Sequence, residues 1–376
     1  MVGDSDPVTV LLGGDVMLGR GVDQVLPHPE NPVLREPHVG DARRYVELAE
    51  QLNRAIPRPV EFAWPWGDAL VAVDDLAPDV RLINLETSIT AGDEFSVRKS
   101  VHYRMHPDNV PALAAFRPDV CALANNHVLD FGHRGLLDTV DALAAAGIRS
   151  AGAGVDLDAA RRPAAMRLPG ERGVVVCSVA TRSSGVPSAW GAGRGRPGVW
   201  LVEELSAACA AEIAAKVMAH KQVGDVAIVS VHWGPNWGYG VGRGEIEFAH
   251  RLIDAGVDLV HGHSAHHPRP VEIYRGRPVL YGCGDVIDDY EGIKGYESYR
   301  PELRLLYLAT LDPRRGGLVG LRMLPLRVRR MRLERTGRAD AEWLRATVEH
   351  ISRGFDIRVA RGPEDLLSVL PRRVRG

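Results

Sequence analysis

The sequence predicts an α/β fold. Over residues 8–269 short apolar, strand-like runs alternate with amphipathic, helix-like segments. Those runs end in polar, ligand-capable residues, where an open α/β sheet binds its ligands. Beyond residue 269 the alternation gives way to hairpin-like pairs, which adds an antiparallel section.

In chain order, VTVLLGG (8–14) is a strand closed by glycine. FAWPWGDALVAVDDLA (62–77) is a helix entered through Pro65, and DVRLINLE (79–86) is a strand followed by a polar loop. NVPALAAF (109–116) reads as a short helix and DVCAL (119–123) as a strand. RGLLDTVDALAAAG (134–147) carries apolar residues at i, i+3, i+4 and i+7 and stops at Gly147, as helices often do. GVVVCSVA (173–180), VAIVSVHW (226–233) and VDLVHG (257–262) are buried-strand candidates, separated by the helices EELSAACAAEIAAKVMAH (203–220) and EIEFAHRLIDAG (245–256). PVEIYRGRPVLYGCGD (270–285) reads as two strands about a turn at RGR, and 303–328 as further strands about a glycine-containing turn. RVRRMRLERTGR (327–338) reads as a solvated face. DAEWLRATVEHISRGF (340–355) is helical, so the organisation is one catalytic domain over 1–330 with a helical extension, 331–376, packed on it.

The 376 residues carry a net charge of −2, with 45% hydrophobic and 25% charged residues, which is a globular composition without a field that draws nucleic acid or anionic lipid. The four cysteines are scattered and form no C-x-x-C pair, as expected of buried free thiols in a reducing compartment. The first residues have neither a basic nor an apolar leader region, and no run reaches the roughly 18 apolar residues of a membrane span. These features predict a cytoplasmic protein with no nucleic-acid or membrane partner.

The strand ends supply the candidate chemistry. Asp15, Asn84 with Glu86, Asn126 with His127, His232, the run His261, His263, His266 and His267, and Asp285 each close a predicted strand. One acid or histidine after a strand is usually a turn, a cap or a hydrogen-bonded group. Their recurrence at six strand ends points instead to a divalent metal site, and mixed carboxylate, amide and imidazole donors suit Mn²⁺, Zn²⁺, Fe²⁺ or a similar ion. Arg104, beside Tyr103 in HYRMHP, is a solvated neighbour of a packed Tyr or a clamp for a carboxylate or phosphate. Arg20, Asn84 and Trp233 complete the expected substrate contacts.

GDVMLGR, NLET, ANNHVLDFG, HWG, GHSAHHPRPVE and LYGCGDVI occur in an order that resembles the CapA proteins of poly-γ-glutamate (capsule) synthesis, within the calcineurin-like metallophosphoesterase superfamily. The resemblance spans roughly residues 8–312. It implies a four-layered α/β/β/α sandwich with metal at the strand ends. It implies that Asp15 opens the first metal motif, that Glu86 takes the bridging place, and that Asn126, His232, His263 and His266 are ligands. His127 is then the neighbouring proton donor, and Asp285 joins Asp15, His127 and His266 as a catalytic residue. The sequence departs from the superfamily pattern where Met17 replaces a histidine and where GHSAH is one residue longer than G-H-x-H. That favours one full metal site, from Glu86, Asn126, His232 and His263, over two.

A single Lewis-acidic metal flanked by histidines suits hydrolysis, and it suits proton abstraction beside a carbonyl. Some soluble CapA-like proteins that resemble this chain epimerise the C-terminal residue of a ribosomal lasso-peptide precursor. Metal-dependent Cα epimerisation of a peptide is therefore the first expectation. Phosphoester hydrolysis, poly-γ-glutamate biosynthesis and a non-catalytic role on a metal-binding scaffold are the alternatives. The substrate expected is a peptide or poly-amino acid.

Overall fold

The central strands are apolar on both sides because both sides are covered, as expected where helices and a second sheet close over a largely parallel sheet. The computed structural model describes residues 6–97, 99–314 and 317–371. The site is carried by six strands: β1 (Val8–Val16), β2 (Val80–Leu85), β3 (Val120–Ala122), β4 (Asp225–His232), β5 (Leu259–His263) and β6 (Asp285–Ile287).

Among the described residues the chain forms two large sheets and two small two-stranded ones. The larger has ten strands, with β1, β2, β3 and Arg149–Ala151 parallel and in that order. On the other side of β1 the strands Leu303–Asp312 and Gly317–Val328 run antiparallel, as the sequence predicts beyond residue 269. The seven-stranded sheet holds Arg172–Thr181, β4 and β5 in parallel, with the hairpin Val271–Tyr274/Arg277–Leu280 beside β5.

Side chains alternate across each strand, so each sheet feeds two cores. Leu11, Val16, Ile83 and Leu85 pack against Trp66 and Val73 around helix Asp68–Leu76 and against Leu136 and Leu143 of helix Gly132–Ala145. Val10, Leu12, Leu82 and Val120 face Val174, Val176, Val226 and Ile228 of the second sheet. The opposite face of that sheet, through Val175, Val179, Val229 and Val231, packs on Ile213 and Val217 of helix Ala207–Met218 and on Phe248 and Leu252 of helix Arg243–Asp254.

The tail differs from the sequence reading. Helix Arg338–Ile351 is present, but Ile357–Arg361 and Leu367–Pro371 then form a hairpin whose second strand pairs with Gly317–Val328. The tail is thus half helix and half strand. Ile357, Val359, Leu367 and Val369 join Leu344 and Val348 of the helix in the core between the sheets, which rewards a period of two. The stretch read as a solvated face is also partly interior: Met331 and Leu333 are buried, and Glu291 accepts the backbone N–H groups of Arg330 and Met331. The glycine-containing turn near 313–316 lies partly outside the described residues, as do the first five residues and the last five. The four cysteines are free thiols. No helix among the described residues is long and apolar enough to cross a membrane.

Candidate metal centre

Strand register assembles the site. On β1, Asp15 lies beside Asn84 of β2 and beside Asp285 of β6. On the second sheet His232 of β4 is directly opposite His263 of β5. Glycine permits the approach of β1 to β6. A Cβ on Gly14 would stand 1.8 Å from the Gly284 carbonyl oxygen, the same oxygen that accepts the Asp15 N–H at 3.0 Å. In GHSAH the extra residue is absorbed at Ser264, whose φ of 105° lies where L-residues are strained. The turn points the Ser264 N–H at Asp15 Oδ2, 3.2 Å away, and brings His266 Nδ1 to 2.9 Å from Asp285 Oδ1.

Two groups of potential ligands result, and Asp15 belongs to both. Asp15, His232 and His263 offer donor atoms within 4.8 Å of one another, and so do Asp15, His266 and Asp285. Glu86 borders the first group, with Oε2 4.0 Å from His232 Nδ1. Asn126 meets His232 on the opposite ring nitrogen, Oδ1 to Nε2 at 3.1 Å. Met17 is buried and belongs to neither group.

The electrostatics fit a cation. Burial, then the neighbouring Asp285, raises the Asp15 carboxyl to about 7. Burial and Asp15 hold the Glu86 carboxyl well above its usual range. Burial also pushes His232 and His263 well below the ordinary imidazole value, leaving neutral nitrogen donors. At His266 burial opposes the charge, but Asp285 outweighs it and the pKa is raised. The buried Asp285 carboxyl faces Asp15 and, through a hydrogen bond, Asp288, so a proton or a cation must be shared among them. Clustered buried carboxylates are costly unless protonated, paired or metal-bound, and the mixed N/O donor set suits a borderline divalent ion.

His127 is held from behind. Its Nδ1 lies 2.6 Å from Asp130 Oδ2, and Nε2 faces Glu86 Oε1 at 3.8 Å. Asp130 stays charged: burial opposes this, but His127 and Lys99 lower its pKa. The Lys99 ammonium approaches the same Nδ1, at 3.1 Å, so a carboxylate and a cation both face this nitrogen. Burial lowers the His127 pKa to about 4, so the resting ring is neutral at neutral pH.

Sequence reasoning did not single out Lys99, whose ammonium contacts Asp130 Oδ1 at 2.6 Å and the Asn126 carbonyl. Its one available signal was rarity, since the chain has only four lysines. Asp289 and Asp288, which hold Arg20 and Arg304, were also missed.

The expected substrate contacts need correction. Asn84 is fully buried and donates to Asp15 Oδ1 and Glu86 Oε2 at 2.8 and 2.9 Å, so it orients carboxylates from behind. Trp233 is core: its indole N–H donates to the Tyr281 carbonyl and its ring stacks on Tyr281. Arg104 is paired with Asp93 and Glu30 and lies over Phe131, which leaves no free fork for an anion. Arg20 is likewise paired with Asp289 and Glu36, though it borders a cavity at the site. Tyr103 is fully buried with its ring edge-on to His127, 4.7 Å between centroids.

That cavity, of about 220 Å³, is walled by Tyr45, Trp237, Tyr290 and Tyr296 and reaches His266. Tyr290 Oη lies 3.4 Å from His266 Nε2. Fold and site together define a mixed α/β protein with a buried aspartate–histidine cluster able to hold a divalent metal.

Comparison with known proteins gives the family. The family model described as "Bacterial capsule synthesis protein PGA_cap" matches residues 9–290, and the chain belongs to that family. It is 64% identical over 372 residues to the "Probable polyglutamine synthesis accessory protein" of Mycobacterium tuberculosis, covering 99% of this chain and 98% of that protein. It is 26% identical over 209 residues to the "PGA biosynthesis protein CapA" of Bacillus subtilis, covering 55% and 52% of the two chains. With the "Capsule biosynthesis protein CapA" of Bacillus anthracis it shares 24% identity over 295 residues, 76% of this chain and 61% of that protein.

Proposed function

We propose that this chain serves the synthesis of a glutamate-type poly-amino acid or capsule polymer, acting on that polymer at a divalent-metal centre built around Asp15. The observation that carries the chemistry is the place of Asp15 in both potential ligand groups, between the histidines of the second sheet and the His266–Asp285 pair. The names of the relatives carry the polymer, and they favour it over the peptide epimerisation expected first. In this reading the fold is the four-layered α/β/β/α sandwich of the metallophosphoesterase type. The succession of helical, inter-sheet and helical cores supports that assignment.

Asp15, His232, His263, His266 and Asp285 would hold the metal, with Glu86 beside them. A divalent ion there supplies a Lewis acid for a carboxylate or amide carbonyl. Asp130 and Lys99 orient His127, whose Nε2 would take up or release a proton at the Glu86 side of the cluster. The His266 ring turns Nδ1 to Asp285 and Nε2 to the aromatic cavity and the Tyr290 hydroxyl. Deleting the gene in a polymer-producing host is expected to lower polyglutamate yield. Wild-type chain restores it and Asp15→Asn does not. Restoration by Asp15→Asn would refute a role for the centre.

One observation favours a second reading, proton exchange at Cα. His127–Asp130 and His266–Asp285 are two histidine–carboxylate pairs around one carboxylate cluster, one neutral at rest and one biased toward the protonated form, as a base and an acid for Cα would be. Incubation with a peptide in D₂O would then place deuterium at the C-terminal Cα, and no incorporation from any peptide encoded beside the gene removes this reading.

A further inference from the structure

A second, larger cavity lies outside the aromatic one. It measures about 800 Å³ and shares Tyr290, Ile293 and Pro301 as a common wall with the inner cavity. The inner space is below the range of roughly 300–1,000 Å³ that holds a drug-sized ligand, whereas the outer one is well inside it. Asp15, His232 and His263 are fully buried and Asp285 nearly so, and His266 is the member of the ligand cluster that lines the inner cavity. A chain end seated at His266 therefore has the larger cavity next to it along the Tyr290–Ile293–Pro301 wall.

The outer wall has its own chemistry. Leu52, Ile293, Val328 and Pro301 supply apolar surface, and Lys294, Arg300, Arg327 and Arg329 supply cations. The carboxylates there are largely committed. Glu291 accepts from Asn53 and from the Arg330 and Met331 backbone, Glu297 folds back on the Gly295 N–H, and Glu302 pairs with Arg300. Arg327 pairs with Asp340 but keeps a buried Nε without a partner. The Arg329 Nε donates only to the neutral Asn53 carbonyl oxygen. Lys294 faces solvent-accessible space near Glu297 without a direct ion pair. Methylene-sized apolar strips next to incompletely neutralised cations match an oligomer of repeating short aliphatic links and carboxylates.

We propose that the outer cavity is a subsite for the body of an anionic oligo-glutamate chain, and that the inner aromatic cavity takes only its terminal residue. The proposal rests on the polymer reading above and deepens it: the site works on chain ends. Association is held by the outer cations, so affinity rises with chain length until the cavity is filled.

Binding of γ-linked diglutamate and of a longer γ-linked oligoglutamate to the metal-supplemented full chain tests this. The longer oligomer is expected to bind at least tenfold more tightly, and the Lys294→Ala/Arg329→Ala double variant to lose about tenfold or more for the long oligomer while holding the dimer as wild type does. Arg329→Lys keeps the charge and is expected to keep most of the long-chain affinity. Equal affinity for both lengths, or an unchanged long-chain affinity in the double variant, overturns the outer subsite while leaving the polymer reading intact. No binding of either oligomer overturns the polymer reading and the subsite with it. Circular dichroism of each variant keeps misfolding from passing as lost binding.

Discussion

Asp15→Asn is expected to abolish most of the protein's stabilisation by metal and to remove the pH dependence that this carboxyl gives the metal-free protein. The sign follows from the carboxyl pKa. Burial and Asp285 raise it from 3.8 to about 7 in the fold, so the charged form is disfavoured there. A metal-free protein therefore loses stability from this group as pH rises through that window. The amide does not titrate, and it sets its NH2 against one of the two donors, Asn84 Nδ2 and the Ser264 N–H, from which the carboxylate accepts. Metal adds stability to wild type. At a free metal concentration a hundredfold above Kd, a ligand that binds only the folded state adds about 2.7 kcal/mol. If the substitution weakens binding a hundredfold, the same relation leaves about 0.4 kcal/mol. Thermal melts with chelator across that pH window, and with added Mn²⁺ or Zn²⁺, read both effects. Equal metal-induced shifts in wild type and variant would show that Asp15 is not shared by the ligand groups.

Arg20→Ala is expected to cost about 3–5 kcal/mol of stability, the range for breaking one side of a buried ion pair. The guanidinium gives Nε and Nη2 to Asp289 at 2.8 and 2.5 Å and Nη1 to Glu36 at 2.9 Å, and it lies 3.7 Å above the Tyr45 ring. Removing it leaves Asp289, which is fully buried, with the Gly21 N–H as a remaining donor. An exposed pair of the same kind would be worth about 0–1 kcal/mol. Denaturant titration decides it, and a double-mutant cycle with Asp289→Asn is expected to show strong coupling. A variant as stable as wild type that loses substrate affinity would restore Arg20 to the role of anion clamp.

That contrast marks what the sequence could carry. The strand ends were legible because an apolar run followed by Asp15, His232 or His263 is a local pattern. The register that sets Asp285 beside Asp15 is not local, so the sequence named both residues without revealing that Asp15 serves two groups. Arg20 and Arg104 looked free because their partners, Asp289 and Asp93, lie in other loops. Lys99 sits in a polar loop without periodicity, and only the fold brings it to Asp130. The tail hairpin did carry a signal, the alternation of Ile357 with Val359 and of Leu367 with Val369, which the helical reading of the segment before it obscured.

The central claim is that the buried cluster is a metal centre. Its most direct test is the metal content of the full-length wild-type chain, purified without chelator, dialysed against metal-free buffer and measured by elemental mass spectrometry beside Asp15→Asn. The account predicts divalent metal retained in stoichiometric amount by wild type and lost from the variant. A folded wild-type chain that holds no metal, even after incubation with Mn²⁺, Zn²⁺ or Fe²⁺, would contradict it.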